Sequence, residues 1–508
     1  MTDIKQLESQ LWDVANKLRA NSALRLNEFS EPVLGLIFLK FADVKFEQAK
    51  KEVGAEQTKT QSKRARPITP ADYHSRGVLF IPETAHFSNL LKLPENTDMG
   101  LALNNAMKDI EAENKELAGI LPKNYNVLNN PTIFTLLKSF NDIEKVEGDA
   151  FGKIYEYFLG KFALADGSGG GEFFTPTSIV KLIVEILEPY HGKIYDPACG
   201  SGGMFVQSHE FVKRHLENGH KAHASREISI YGQEKTEQTV RIAKMNLAIH
   251  GLSGDIKQGN TYFEDLHHSI GKFDFTLANP PFNVSGIDKE RIKDDKRFLF
   301  GLPSADNGNY AWIQIFLSSL NDKGRAGFVM ANSASDAGHS EKEIRKQLID
   351  KGFVDVMVAV GEKMFYNVGL PVQLWFLDKG KKNTERKDKI LFIDARSIYR
   401  RVDNSHRDWS DEQIQEISEI VRSYRGEKGA PKYKDVRGLC KVATLKEVEG
   451  AGYSLSPGRY VVVADTKHLE EEDFAKVIKD LHSELKELTD ESQRLGVKIQ
   501  DNFKKLFE

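Results

Sequence analysis

Asn279-Pro280-Pro281-Phe282 follows the apolar run Phe273-Asp274-Phe275-Thr276-Leu277-Ala278, and its residue types suit chemistry on an amine. Two consecutive prolines fix the backbone and end the strand. Such a corner can aim the Asn279 side-chain oxygen and the Pro280 carbonyl oxygen at one point. Both are acceptors, and a planar amino group has two N–H donors to give them. Accepting both hydrogens draws the nitrogen lone pair out of conjugation and makes it nucleophilic. Phe282 is then placed to stack on the ring that bears the amine, for about 1–3 kcal/mol. Taken alone, the four residues also fit a loop without chemistry, so the upstream segments decide.

Upstream, Asp196-Pro197-Ala198-Cys199-Gly200-Ser201-Gly202-Gly203 follows a short strand. Small residues let the backbone turn sharply and approach a ligand, with the next helix N-terminus aimed at it. Position 205 is Phe, so the spacing is not the G-x-G-x-x-G of a nicotinamide dinucleotide site. A second strand ends at Tyr231-Gly232-Gln233-Glu234, where a carboxylate is placed to accept from the ribose hydroxyls of an adenosine. Asn260, after a third strand, is the candidate reader of the adenine edge. A nucleoside site beside an activated amine points to methyl transfer from S-adenosylmethionine. The sulfonium methyl is intrinsically activated, so the task is in-line alignment. That chemistry needs no metal, covalent nucleophile or strong general base, and none is expected here.

The elements that position these residues follow from periodicity. Residues 1–160 read as a helical domain: Leu7, Leu11, Val14, Ala15 and Leu18 recur at helical spacing, and a second apolar run covers 33–39. Asn27 or Ser30 is the expected cap of that second helix, with Pro32 in its first turn. Lys59, Lys63, Arg64 and Arg66 read as a solvated loop, with a phosphate contact as the alternative. Asp166-Gly167-Ser168-Gly169-Gly170-Gly171 is a flexible joint. After it, apolar strands at 194–195, 228–231, 273–278, 326–330, 354–360 and 372–377 alternate with amphipathic helices. This predicts an α/β, largely parallel sheet domain over 161–380. Residues 381–465 read as an irregular extension, Lys/Arg-rich at 379–389 and 425–434. Over 466–508, Phe474, Ile478, Leu481, Leu485, Leu488, Leu495 and Ile499 form a coiled-coil seam interrupted at Ser492. It reads as a partner-facing helix, with a helix folded onto its own domain as the alternative.

Composition restricts the partners. A net charge of −3 over 508 residues argues against a chain that coats nucleic acid by itself. Cys199 and Cys440 are the two cysteines, which suggests neither a disulfide framework nor a metal cage. The amino terminus lacks the apolar core of a signal peptide, and no apolar run approaches the length of a membrane span. A soluble cytoplasmic protein without a membrane partner is expected. The stretch after Asp378 carries no zinc-finger or other DNA-binding signature, so base readout is expected to come from another chain.

The order of glycine loop, acidic strand end and Asn-Pro-Pro-Phe resembles the amino-methyltransferases, in their adenine-N6 branch. More closely, the chain resembles the modification subunits of type I restriction–modification systems. Glu172-Phe173-Phe174-Thr175-Pro176-Thr177 is similar to that family's cofactor-proximal segment. Asp295-Lys296-Arg297-Phe298, Tyr366-Asn367-Val368-Gly369-Leu370-Pro371 and Tyr453-Ser454-Leu455-Ser456-Pro457-Gly458-Arg459-Tyr460-Val461 are similar to later family segments. Phe282 departs from the pattern, since many relatives carry Tyr, but it keeps the stacking face. The resemblance implies a Rossmann-like fold that binds S-adenosylmethionine through Glu172 to Thr177, Ser201 to Gly203 and Glu234. It implies a flipped adenine from double-stranded DNA as substrate. It also implies a specificity subunit, a restriction subunit and a second copy of the chain as partners. A protein glutamine-amide methyltransferase and a catalytically inactive DNA clamp remain alternatives, with an oxidoreductase more distant.

Overall fold

The computed structural model describes residues 4–22, 24–59, 67–94, 96–141, 150–166, 175–217, 228–303, 307–365, 371–403, 406–462, 482–483, 486 and 488–496. The glycine joint at 167–171, Lys63, Arg64 and Arg66, the segment 366–370 and most of the expected terminal helix lie outside them. The amino-terminal region is helical: α1 (Ile4–Ala20), α2 (Leu26–Lys59), α3 (Pro70–His74), α4 (Phe87–Leu91), α5 (Met99–Glu113), α6 (Asn130–Asn141) and α7 (Ala150–Asp166). Leu7, Leu11 and Ala15 form one buried stripe on α1. Trp12 beside it meets Phe158 and Phe162 of α7 edge-on, at centroid distances of 5.7 and 5.2 Å. The apolar run at 33–39 is buried within α2. That helix starts earlier than expected, at Leu26, so Asn27, Ser30 and Pro32 lie inside it. The Glu28 carboxylate accepts the Arg25 N–H at 2.8 Å and takes over the capping role.

The sheet strands are β1 (Gly192–Asp196), β2 (Ile228–Glu234), β3 (Gly254–Gln258), β4 (Phe273–Ala278), β5 (Leu320–Ala331), β6 (Val354–Ala359), β7 (Val372–Asp378) and β8 (Lys389–Asp394). β9 (Arg400–Arg401) and β10 (Arg407–Asp408) form a small separate ribbon, and β11 (Cys440–Thr444) returns to the main sheet. The helices of this part are α8 (Thr177–Leu187), α9 (Gly203–Glu217), α10 (Glu237–Ile249), α11 (Lys289–Ile292), α12 (Asn309–Ser319), α13 (His339–Asp350), α14 (Asp411–Arg425) and α15 (Leu445–Gly450). The nine strands run in the order β11-β8-β6-β7-β5-β4-β1-β2-β3. From the β1/β4 junction the chain winds one way through β2 and β3 and the other way through β5. Such a reversal leaves a crevice beyond the carboxyl ends of the strands, which is where ligands bind in open α/β sheets.

One expectation gains detail and one needs correction. Within the largely parallel sheet, β7 runs antiparallel to both neighbours, β5 and β6, a direction that its seven buried residues do not signal. The stretch 381–465 is not irregular: β8 pairs parallel with β6, and β11 pairs antiparallel with β8. α14 packs on α8 through Lys181–Asp411 at 2.9 Å, Arg422–Glu188 at 2.9 Å and Arg422–Glu185 at 3.2 Å. Lys381, Arg386 and Arg425, from the Lys/Arg-rich segments of that stretch, surround Asp355 at the amino end of β6.

Asp355 is 0% exposed. Arg386 Nη1 donates to its Oδ1, and Arg425 Nη2 lies 3.2 Å from Oδ2. Burial alone would raise its carboxyl, but the Arg425, Arg386 and Lys381 charges outweigh that and hold it below the ordinary range. A depressed folded pKa contributes stability that is complete above the unfolded value of about 3.9. The contribution is lost as pH falls through the folded value. α10 joins the two regions: Met245 and Ile249 pack into the helical core, and Arg241 meets Glu31 of α2 at 2.9 Å. Among the described residues, no helix is long and apolar enough to cross a membrane. Asp355→Ala would strand buried cations and should cost about 3–5 kcal/mol, measured by urea unfolding at pH 7. A loss below about 1 kcal/mol would mean that the cluster is solvated like a surface pair.

Candidate active site at the carboxyl edge of the sheet

Asp196 ends β1, Glu234 ends β2 and Asn279 directly follows β4. β1 pairs parallel with both β2 and β4, so chain direction alone brings the three residues to one edge. Glu234 is 8% exposed, and both carboxylate oxygens hold backbone. Gly200 N–H donates to Oε2 and Thr236 N–H to Oε1, each at 3.1 Å. Its own carbonyl accepts Gly259 N–H at 2.9 Å. Gly200 and Gly202 have φ of +51° and +80°, where a side chain is strained. The loop is closed from α10, where Asn246 Nδ2 donates to the Ser201 carbonyl at 2.8 Å.

Asp196 Oδ1 accepts the Ala198 N–H at 2.9 Å. Burial pushes this carboxyl well above its ordinary range; the Ala198 N–H opposes the rise and the Glu234 charge adds to it. Burial also pushes the Cys199 thiol up, reinforced by Asp196 and Glu234. Asp196 and Glu234 thus place two carboxyl groups at this edge, where a cationic ligand would favour their charged forms.

A cavity of about 300 Å³ opens between this loop, the start of α8, α10 and the helical region. Of the residues expected from the sequence, Thr175, Thr177, Asp196, Ser201, Gly203 and Asn279 line it. Asn279 Nδ2 donates to Thr175 Oγ1 at 2.8 Å and so joins the residue after β4 to the approach to α8. Pro176 is the N-cap of α8, and Pro280 is buried at the corner. Glu172, Phe173 and Phe174 lie outside the described residues.

Other expected residues stand apart from the cavity wall. Glu234 lies behind the glycine loop that it holds. Gly202 is set by its φ, with room for a Cβ 3.7 Å from Ala243. Asn260 uses its Oδ1 to accept the Tyr262 N–H at 3.1 Å, so its amide shapes a local turn. Pro281 is half-buried, and Phe282 is 7% exposed within the sheet core.

The sequence reading missed what anchors that corner. Asn283, at φ +53°, exchanges two hydrogen bonds with Asn309 at the start of α12, at 2.8 and 2.9 Å. An asparagine just past a double proline was the available signal, since it tolerates left-handed φ. It also missed Glu156, Gln207 and Asn246, which line the cavity from three different helices. The later segments act as braces. Arg297 is buried, pairs with Asp295 at 2.6 Å and donates to the Thr261 carbonyl at 2.8 Å. Arg345 donates to the Tyr453 carbonyl at 2.7 Å.

If Glu234 holds the loop as described, Glu234→Ala should speed amide hydrogen exchange across 199–203 by roughly tenfold or more, for a lost charge-assisted bond of about 1.5–3 kcal/mol. Unchanged protection there would show that other contacts fix the loop.

Comparison with known proteins identifies the family. Residues 146–469 match the N-6 DNA methylase family, and residues 7–140 match the HsdM N-terminal domain. The chain is 37% identical to the type I restriction enzyme MjaIX methylase subunit of Methanocaldococcus jannaschii, over 98% of this chain and 90% of that protein. It is 36% identical to the HindI methylase subunit of Haemophilus influenzae, over 83% of this chain and 94% of that protein. In fold it is similar to a type I restriction–modification system methyltransferase subunit from Streptococcus thermophilus. The TM-score is 0.74 at 21% identity, covering 90% of this chain and 99% of that one. The cavity fits S-adenosylmethionine in two respects: Asp196 and Glu156 supply carboxylates for a cationic ligand, and its volume lies at the lower end of small-molecule sites. The chain belongs to the N-6 DNA methylase family, among the methylase subunits of type I restriction–modification systems: S-adenosylmethionine-dependent, adenine-N6-specific catalytic subunits that work with a separate specificity subunit.

Proposed function

We propose that this subunit methylates a flipped adenine of double-stranded DNA at the Asn279 corner, with the cofactor held between the glycine loop and the helical region. One observation carries the reading: Asn279 and the glycine loop line the same cavity, so a target amine and a methyl donor share one space. When bound, S-adenosylmethionine supplies an electrophilic methyl group. Thr175 Oγ1 engages Asn279 Nδ2, which orients the amide to offer Oδ1 to the target amine. The Pro280 carbonyl is the second acceptor, kept in place by the restricted backbone of Pro280 and Pro281. Phe282 provides the stacking face; because its ring sits in the core, the turn must swing to present it.

For the cofactor, Glu234 ends β2 beside the glycine loop, and its carboxylate is the acceptor for the ribose hydroxyls in this reading. Asp196 stabilises positive charge, while Ser201, Gly202 and Gly203 allow close backbone approach. Asn260, its Oδ1 taken by the Tyr262 N–H, would offer its amide nitrogen to the adenine edge, and Glu172, Phe173, Phe174, Thr175, Pro176 and Thr177 flank the methionine end. Neither nucleophile nor methyl group needs a metal for activation in this scheme.

The working assembly in this reading contains a specificity subunit, a second copy of the chain and a restriction subunit, in the cytoplasm. The 466–508 tail serves as the docking helix; within it Leu488 and Leu495 are 58% and 47% exposed, which supports an outward role. Residues 1–160 form one remaining division, and 161–380 with 381–465 form the other, because β8 and β11 belong to the main sheet.

Asn279→Ala should lower methyl transfer about a hundredfold or more while changing cofactor affinity only a few-fold, as measured by tritiated-methyl transfer and calorimetry. Retention of most activity would remove the role given to the corner. The chain alone should bind cofactor yet methylate DNA poorly until the specificity subunit is added. Robust site-specific methylation by the pure chain would contradict the division of labour. Truncation before Glu470 should preserve cofactor binding and weaken co-purification with the specificity subunit; an undiminished complex would place the contact elsewhere.

A further inference from the structure

One wall of the cavity comes from outside the sheet domain. Leu34 of α2 and Glu156 and Leu159 of α7 close that side. Glu156 is half-buried there, and its Oε1 accepts a hydrogen bond from Gln207 Nε2 at 3.4 Å. Gln207 lies on α9, about one turn past Gly203, where the glycine loop becomes helix. From α10, Asn246 reaches the same loop through its bond to the Ser201 carbonyl. Its Oδ1 is buried and has no hydrogen-bond partner among the described residues, and the residue lines the same cavity.

This region of the cavity therefore offers acceptors: a carboxylate from the helical region and an amide oxygen from α10. A buried acceptor without a donor is costly, at about 1–3 kcal/mol, unless a ligand supplies the donor. S-adenosylmethionine carries a sulfonium, a carboxylate and a primary ammonium at its methionine end, besides the ribose hydroxyls and adenine edge given above to Glu234 and Asn260. The sulfonium has no N–H or O–H to donate and the carboxylate only accepts, whereas the ammonium has three donors.

We propose that Glu156, reaching across from the helical region, binds the α-ammonium of the cofactor together with Asn246 Oδ1, while Gln207 holds the Glu156 carboxylate in position. The proposal rests on the cofactor reading above and adds a contact from the amino-terminal helices to a site otherwise built on the sheet. The helical region then takes part directly in cofactor recognition.

Calorimetry on the full-length chain tests this with three probes: S-adenosylmethionine, S-adenosylhomocysteine and 5′-methylthioadenosine, which keeps the nucleoside and lacks the amino-acid end. Glu156→Gln should weaken the first two about tenfold or more and leave the third within about twofold. Glu156→Asp, which retains the charge on a shorter arm, should recover part of the loss. Equal weakening of all three probes would overturn the proposal, because the substitution would then disturb the cavity generally. Unchanged S-adenosylmethionine binding by Glu156→Gln would also overturn it. Failure of the unaltered chain to bind any probe is a different result, and it would remove the cofactor reading underneath.

Discussion

A single carboxylate, Glu234, joins the pieces of backbone on which the site depends. It takes one N–H from the loop after β1 and one from the start of α10, while its carbonyl takes a third from the loop after β3. Those N–H groups lie beyond the ends of the strands, where no ladder satisfies them. A buried carboxylate, for its part, is tolerable only when hydrogen-bonded. Each solves the other's problem. Asp196 stands beside this arrangement, and burial, with the Glu234 charge as a smaller addition, shifts its carboxyl up. A neutral side chain at 234 would supply neither the charge nor two equivalent acceptors.

The target side of the site is built differently. Asn279 is held by Thr175, and the turn beyond it is fastened by the reciprocal Asn283–Asn309 amides. Neutral amides suit this position because the target amine must meet acceptors without a formal charge that would compete for the cationic donor. Membership of the N-6 DNA methylase family sets aside the glutamine-amide and nicotinamide alternatives that the motifs alone left open.

Much of the sheet domain was legible because short apolar runs between helical stretches have few other interpretations. The glycine loop, Glu234 and Asn279 were legible because each ends or follows such a run. The stretch 381–465 was not. Its Lys/Arg-rich segments suggested an irregular extension, and Lys381, Arg386 and Arg425 gain their structural role only when Asp355, distant in sequence, is placed among them. The direction of β7 was invisible because burial on both faces is the same for either orientation. Phe282 was read for its chemistry, although its apolar ring has an equally good home in the core. Glu156, Gln207 and Asn246 belong to three helices and share no spacing. Only the oddity of a carboxylate within Ile154-Tyr155-Glu156-Tyr157-Phe158 hinted at one of them.

α10 has one face in each hydrophobic core: Ala243 and Leu247 pack with the sheet, Met245 and Ile249 with the amino-terminal helices. The seam between the two bodies therefore does not coincide with any cut in the polypeptide. A natural recombinant that acquired the first 160 residues of a distant cousin would inherit an unmatched seat for Met245 and Ile249. Successful shuffling of such subunits should accordingly carry α10 with the leading segment, or be confined to lineages in which that seat has kept its shape.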